Sequence, residues 1–210
     1  MKKLTENLDG FADRIRADLE KKDAAREKVL PLCRELIRYA SITIRAIHRQ
    51  EFESAKTLLA EGRKVRGALA DAILEWEELR YHGFVRDAQK EYTEASAVFA
   101  LVRGEPLPDP ADLQVDYTAY LNGLGDTVGE LRRYLLDSMR RGDFSRCEEL
   151  LSAMDDIYTT LVTMDFPDAI TGGLRHTTDQ VRGILEKTRG DVTLAVTQKE
   201  LENKLDQKQG

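Results

Sequence analysis

Residues 32–50 read LCRELIRYASITIRAIHRQ, and the spacing of their apolar side chains decides the fold class. Leu32, Leu36, Ala40, Thr43 and Ile47 recur every three or four positions, the period of one face of an α-helix. Arg34, Arg38, Arg45 and Arg49 project at about 0°, 40°, 20° and 60° around the same axis, a narrow band opposite that face. No part of the chain shows the alternation of a half-buried strand, so the reading is all-α.

The pattern continues in both directions from this segment. Helical stretches are predicted over 5–22 and 23–49, with Pro31 near the start of the second or as a kink in it. Others cover 51–62, 65–81 and 84–103. Gly104, Pro106, Pro108 and Pro110 in GEPLPDP then forbid continuation. A helix from Asp116 ends at Arg140, Arg141 and Gly142, a basic last turn followed by glycine. Asp143 or Ser145 caps the next, which reaches about 164, and a last stretch covers 173–187. It restarts at Asp191 as a charged, fraying tail over 191–210. The GEPLPDP loop is too short to separate two cores, so residues 1–210 form one domain.

Of the 210 residues, 33% are charged and 41% hydrophobic, a balance that folds rather than stays disordered. Cys33 and Cys147 lie among apolar neighbours without CxxC spacing and read as core residues of a reducing compartment. The amphipathic N-terminus lacks a secretory signal, and no stretch approaches the ~20 apolar residues of a membrane span, so the expected location is the cytoplasm. A net charge of −6 excludes a globally basic nucleic-acid coat. Any nucleic acid must meet a local patch. Arg34 to Arg66 supplies one, with eight Lys or Arg against four Glu. Its four aligned arginines suit a phosphate backbone as well as an ordinary solvated face. Trp76 reads as core or interface rather than as a base-stacking residue.

Two acidic pairs stand out. EYTEA at 91–95 puts Glu91 and Glu94 on one side of a helix together with Ala95, Val98, Leu101 and Val102. Like charges near a core need protons or a cation between them. DTVGE at 126–130 sets Asp126 and Glu130 one turn apart among Gly123, Gly125 and Gly129, small residues that let another helix or a substrate approach. The apolar arc of that helix, Tyr117, Leu121, Leu124, Val128, Leu131 and Leu135, lies well around from the acids, which favours a solvated face for this pair. Four carboxylates on two helices nevertheless suit a hard divalent ion such as Mg²⁺ or Mn²⁺. His48, His82 and His176 lack metal-ligand spacing, which argues against zinc. No nucleotide-binding glycine loop or Ser-His-Asp arrangement is present.

These strings together resemble the translin and translin-associated factor X family over about residues 9–190. The catalytic member carries EYxEA and, later, YLxGxxDxxGEL; this sequence reads EYTEA and, from Tyr120 to Leu131, YLNGLGDTVGEL. LCRELIRYASITIRAIHR resembles the family's long second helix, and MRRGDFSR at 139–146 its short interhelical turn. The resemblance implies a bundle of about seven helices assembled as a closed homo-octameric shell, with Mg²⁺-dependent cleavage of single-stranded RNA inside. Glu91, Glu94, Asp126 and Glu130 become the catalytic set, with Glu94 and Glu130 on the metal. Arg34, Arg38, Arg45 and Arg49 hold the RNA. The long insertion of the eukaryotic proteins after the EYxEA helix is missing, which points to a compact prokaryotic or archaeal version. Two rivals stay open: a translin-like binder of single-stranded RNA or DNA without catalysis, and a helical assembly protein with no nucleic-acid role.

Overall fold

The computed structural model describes residues 4–74 and 76–209, which fold into eight α-helices and one 3₁₀ turn, with no strand among them. The helices are α1 (Leu8–His48), α2 (Phe52–Leu74), α3 (Gly83–Arg103), α4 (Pro110–Leu113), α5 (Tyr117–Arg140), α6 (Cys147–Val162), α7 (Asp168–Thr171) and α8 (Leu174–Gln209). The 3₁₀ turn is Glu77–Tyr81. Helices α4 and α7 are single turns.

Besides the stretch read as helix over 65–81, where α2 ends at Leu74 and Glu77–Tyr81 is a 3₁₀ turn, the joints differ from the periodicity reading in three places. First, 5–22 and 23–49 are one 41-residue helix. Pro31 sits inside it on the exposed face, so the carbonyl freed four residues earlier looks toward water. Burial of Val29, Cys33 and Leu36 on the opposite face holds the helix through the break. Second, Gly62 does not end a helix. It is buried within α2, where a Cβ would stand 3.2 Å from the Tyr92 ring, so glycine serves close packing rather than termination. Third, α8 runs unbroken through Asp191, because buried Val192 and an Arg132–Asp191 ion pair of 2.8 Å continue its packing on α5.

The other stops fall where the residues require them. Gly104 closes α3 in the left-handed region at φ 73°, with its N–H donating to the Ala100 and Leu101 carbonyls. Asp116 caps α5 by accepting from the Thr118 N–H. Asp143 accepts from Ser145, but the residue ahead of α6 is Arg146, whose guanidinium donates back to the Leu101 and Val102 carbonyls and ties α6 to the end of α3.

Helix α3 runs through the middle, buried almost all round. Its first half packs with α1, α2 and the 3₁₀ turn through Val29, Leu36, Leu69, Leu79 and Val85. Its second half joins α5, α6 and α8 through Val98, Leu131, Leu150, Met154 and Val181. Both cysteines are buried and unpaired, and Trp76 packs against the first of these clusters. Before Ala25, no residue of α1 is buried. No described helix is long and apolar enough to cross a membrane.

Candidate active site

Helix α5 is pressed between α3 and α8, and glycines make this possible. A Cβ on Gly123 would lie 2.7 Å from the Lys90 carbonyl oxygen and 2.8 Å from Thr93 Cβ; one on Gly125 would overlap Thr177 of α8. Asn122 locks the same seam, donating to the Thr171 carbonyl at 2.9 Å and accepting from the Thr177 hydroxyl at 2.7 Å. With both neighbours so close, the flank of α5 that bears Asp126 and Glu130 becomes the wall of a cleft. Their side chains are only 34% and 25% exposed. The solvated face expected for this pair is therefore wrong: the apolar arc of α5 does not mark its whole buried side, since the glycine stripe is covered too.

The cleft has a volume of about 230 Å³ and brings together Glu94 of α3, Asp126 and Glu130 of α5, and Thr177, Gln180 and Val181 of α8. Glu91 does not line it but lies close enough for its charge to act on Glu94. Glu94 is 8% exposed, and nothing among the described residues donates it a hydrogen bond. Burial, followed by the negative charges of Glu91, Asp126 and Glu130, pushes its carboxyl up to about 8. Burial also raises Glu91, with Lys90 opposing and Asp126, Asp87 and Glu130 adding.

Two basic side chains unmarked by the sequence reading complete the site. Lys90 Nζ sits 2.6 Å from Asp126 Oδ2. Burial opposes the ammonium charge, but the Asp126 carboxylate and the charges of Glu91 and Glu94 outweigh it, so its pKa is raised. His48 of α1 donates from Nε2 to Glu130 Oε2 at 2.5 Å, with its side chain 6% exposed. That hydrogen bond is the main reason the Glu130 carboxyl is lowered, against its own burial and with help from Arg133. Lys90 was legible as the i,i+4 partner position of Glu94. His48 carried no signal, because its contact spans 82 residues.

All four arginines of the band are exposed, three on α1 and Arg49 at its C-cap. Arg38 stacks over the Tyr39 ring and reaches Glu35, and Arg45 donates to Ser41. None lines the cleft, but Arg45 and Arg49 flank His48, so the band ends beside the residue that touches Glu130.

The donor set of this cleft is chemically suited to a hard divalent cation: oxygen ligands only, with a carboxyl that burial and then like charges hold protonated below about pH 8. As the side chains stand, Lys90 and His48 engage Asp126 and Glu130. No group of three His, Cys, Asp or Glu converges on a common point among the described residues.

An all-α bundle with a carboxylate-lined cleft between its central helices and an exposed row of arginines is the class that fold and site define. A family model described as the translin family matches residues 70–189, more than half of the chain. The chain belongs to the translin family. It is 31% identical over 179 residues to the uncharacterized protein MJ0175 of Methanocaldococcus jannaschii, covering 83% of this chain and 78% of that one. The solved structure of AfC3PO is similar at 35% identity and a TM-score of 0.81, over 89% of this chain and 97% of that one. AfC3PO in complex with duplex RNA matches at 33% and 0.79, over 89% and 96%. Apo-NeC3PO, 18% identical with a TM-score of 0.77 over 88% and 96%, shares the fold.

Proposed function

We propose that this protein binds RNA and cleaves it as a metal-dependent endoribonuclease acting on single strands within a homo-oligomeric shell, an octamer by family resemblance. The observation that carries the reading is the buried Glu94 carboxyl, crowded by three other acids and lining a cleft with two of them. The similarity to a structure that holds duplex RNA supports the RNA-binding part.

Mg²⁺, or Mn²⁺ in its place, would supply Lewis-acid stabilisation of the charge developing on the phosphodiester. Glu94 and Glu130 are the residues to hold it. Below about pH 8 Glu94 keeps a proton on its carboxyl, which it would have to release to solvent in order to hold a cation. His48 fixes the Glu130 carboxylate from behind, setting which oxygen faces the cleft. Asp126 and Glu91 take the water roles, one orienting the attacking water and the other accepting its proton. Arg34, Arg38, Arg45 and Arg49 grip the backbone of the strand outside the cleft.

The Lys90–Asp126 ion pair and the lack of a converged ligand group among the described residues favour a second reading, an RNA or single-stranded DNA binder without catalysis. Labelled single-stranded and duplex RNA incubated with the full chain, in Mg²⁺ and in chelator, separates the two. Cleavage in Mg²⁺ that chelator stops, and that Glu94→Ala abolishes while RNA binding survives, supports the nuclease. Undiminished cleavage by Glu94→Ala removes the assignment, and binding without cleavage leaves the binder.

A further inference from the structure

Away from the acidic cleft, a cavity of about 390 Å³ opens among α2, the 3₁₀ turn, α3 and the start of α5, lined by Arg66, Arg80, Gln89, Gln114, Asp116 and Tyr117. Arg66 is 7% exposed, and its Nε and Nη1 atoms are fully buried without a hydrogen-bond partner. No carboxylate pairs with it among the described residues. A buried guanidinium without acceptors is costly, and proteins seldom keep one. Burial pushes Arg66 below the ordinary arginine range, and the nearby charge of Arg80 pushes the same way. Asp116, the one lining carboxylate among the described residues, does not answer for it, since it accepts from the Thr118 N–H at 2.9 Å as the cap of α5. The carbonyl of Gln89 accepts from the Asp116 N–H at 2.9 Å, which leaves its amide nitrogen as a donor.

The cavity is therefore lined by two guanidinium-bearing side chains and a side-chain amide donor, and among the described residues no carboxylate pairs with Arg66. Planar guanidinium forks match the oxygens of a phosphate. Tyr117, 74% exposed at the rim, offers a ring face on which a base can stack. The volume is that of a small-ligand site. We propose that this cavity binds the phosphomonoester of a nucleotide, with Arg66 and Arg80 on the phosphate and Tyr117 against the base. Such a group belongs to a free mononucleotide or to the phosphorylated end of an RNA strand. The proposal does not depend on the nuclease reading, because no residue is shared between cavity and cleft.

The test uses the full chain at low ionic strength in chelator, so that the acidic cleft takes no part. Calorimetric titration with AMP, inorganic phosphate and adenosine is expected to show binding of the first two and at least tenfold weaker binding of adenosine. Arg80→Gln, a change at an exposed residue, should weaken AMP at least tenfold, and Arg66→Met should abolish its binding with no loss of melting temperature. If Arg66→Met fails to fold, Arg80→Gln decides alone. A short RNA with a 5′-phosphate that binds more tightly than both AMP and its 5′-hydroxyl counterpart assigns the site to strand ends. Equal affinity of AMP and the phosphorylated RNA assigns it to mononucleotides. Failure of AMP and phosphate to bind the wild type overturns the proposal, as does undiminished binding by Arg80→Gln. So does a change in oligomer mass on Arg66→Met in a protein that binds no phosphate, which would mean that a second copy fills the cavity.

Discussion

Replacing Glu94 with Gln should make the protein more stable, by an amount that grows as pH rises from about 4.5 to about 8. In the metal-free protein the Glu94 carboxyl, raised to about 8 from an ordinary 4.5, takes up a proton on folding over the interval between those values. A raised carboxyl of this kind contributes stability that is fully present below about pH 4.5 and is lost as pH rises through about 8. At about 1.4 kcal/mol per unit the ceiling on that loss is about 5 kcal/mol; water entering the cleft and relaxation of Lys90 toward Glu94 should reduce it to about 2–4. Glutamine mimics the protonated carboxyl in shape and carries no charge to desolvate. Urea unfolding in chelator across pH 5 to 9 should give curves for wild type and variant within about 1 kcal/mol of each other at pH 5, with the variant ahead by about 2–4 kcal/mol at pH 8.5. Curves that stay parallel over the whole range would show that Glu94 ionises in the folded protein without penalty, and the electrostatic account of the cleft would fail.

Two further expectations concern the frame and the arginine band. Gly123→Ala drives a methyl group against the Lys90 carbonyl and Thr93, and should cost about 1–3 kcal/mol in urea unfolding. At Gly129 the nearest atom to a new Cβ is 3.9 Å away, so Gly129→Ala should be neutral or stabilising by up to about 1 kcal/mol; equal stabilities of the two variants would contradict the seam. Replacing Arg34, Arg38, Arg45 and Arg49 with Gln should leave stability within about 0.5 kcal/mol, because all four are exposed. The dependence of log affinity for single-stranded RNA on log salt should flatten by about 0.7 for each phosphate that the variant no longer neutralises. An unchanged slope in the quadruple variant would exclude this band as the RNA track.

Helical periodicity was legible because each element buries one face, and the pattern around Leu36 and Ile47 holds whatever the neighbours are. The joints were less legible, since glycine and proline report a local preference that packing overrides. Gly62 accommodates Tyr92, and Pro31 sits where water meets the exposed turn. Glu94 could be read as facing inward because its own helix supplies the apolar companions. Asp126 and Glu130 could not, since their burial comes from α3 and α8 closing on glycines, and a glycine carries no hydrophobic signature. His48 and Arg66 were out of reach for a related reason: their significance lies in what does, or does not, stand opposite them across the fold.

The unbroken run of α1 from Pro31 to His48 bears on how a charged chain can meet this molecule. Arg34 and Arg45 ride on a single rod, about 16 Å apart along its axis, and Arg49 caps its end. They cannot converge on a compact ion. A polyanion that engages all of them has to lie down along the helix, so the ordering falls on the ligand and hardly at all on the protein. A flexible strand can meet that demand by straightening, whereas a folded hairpin would first have to open.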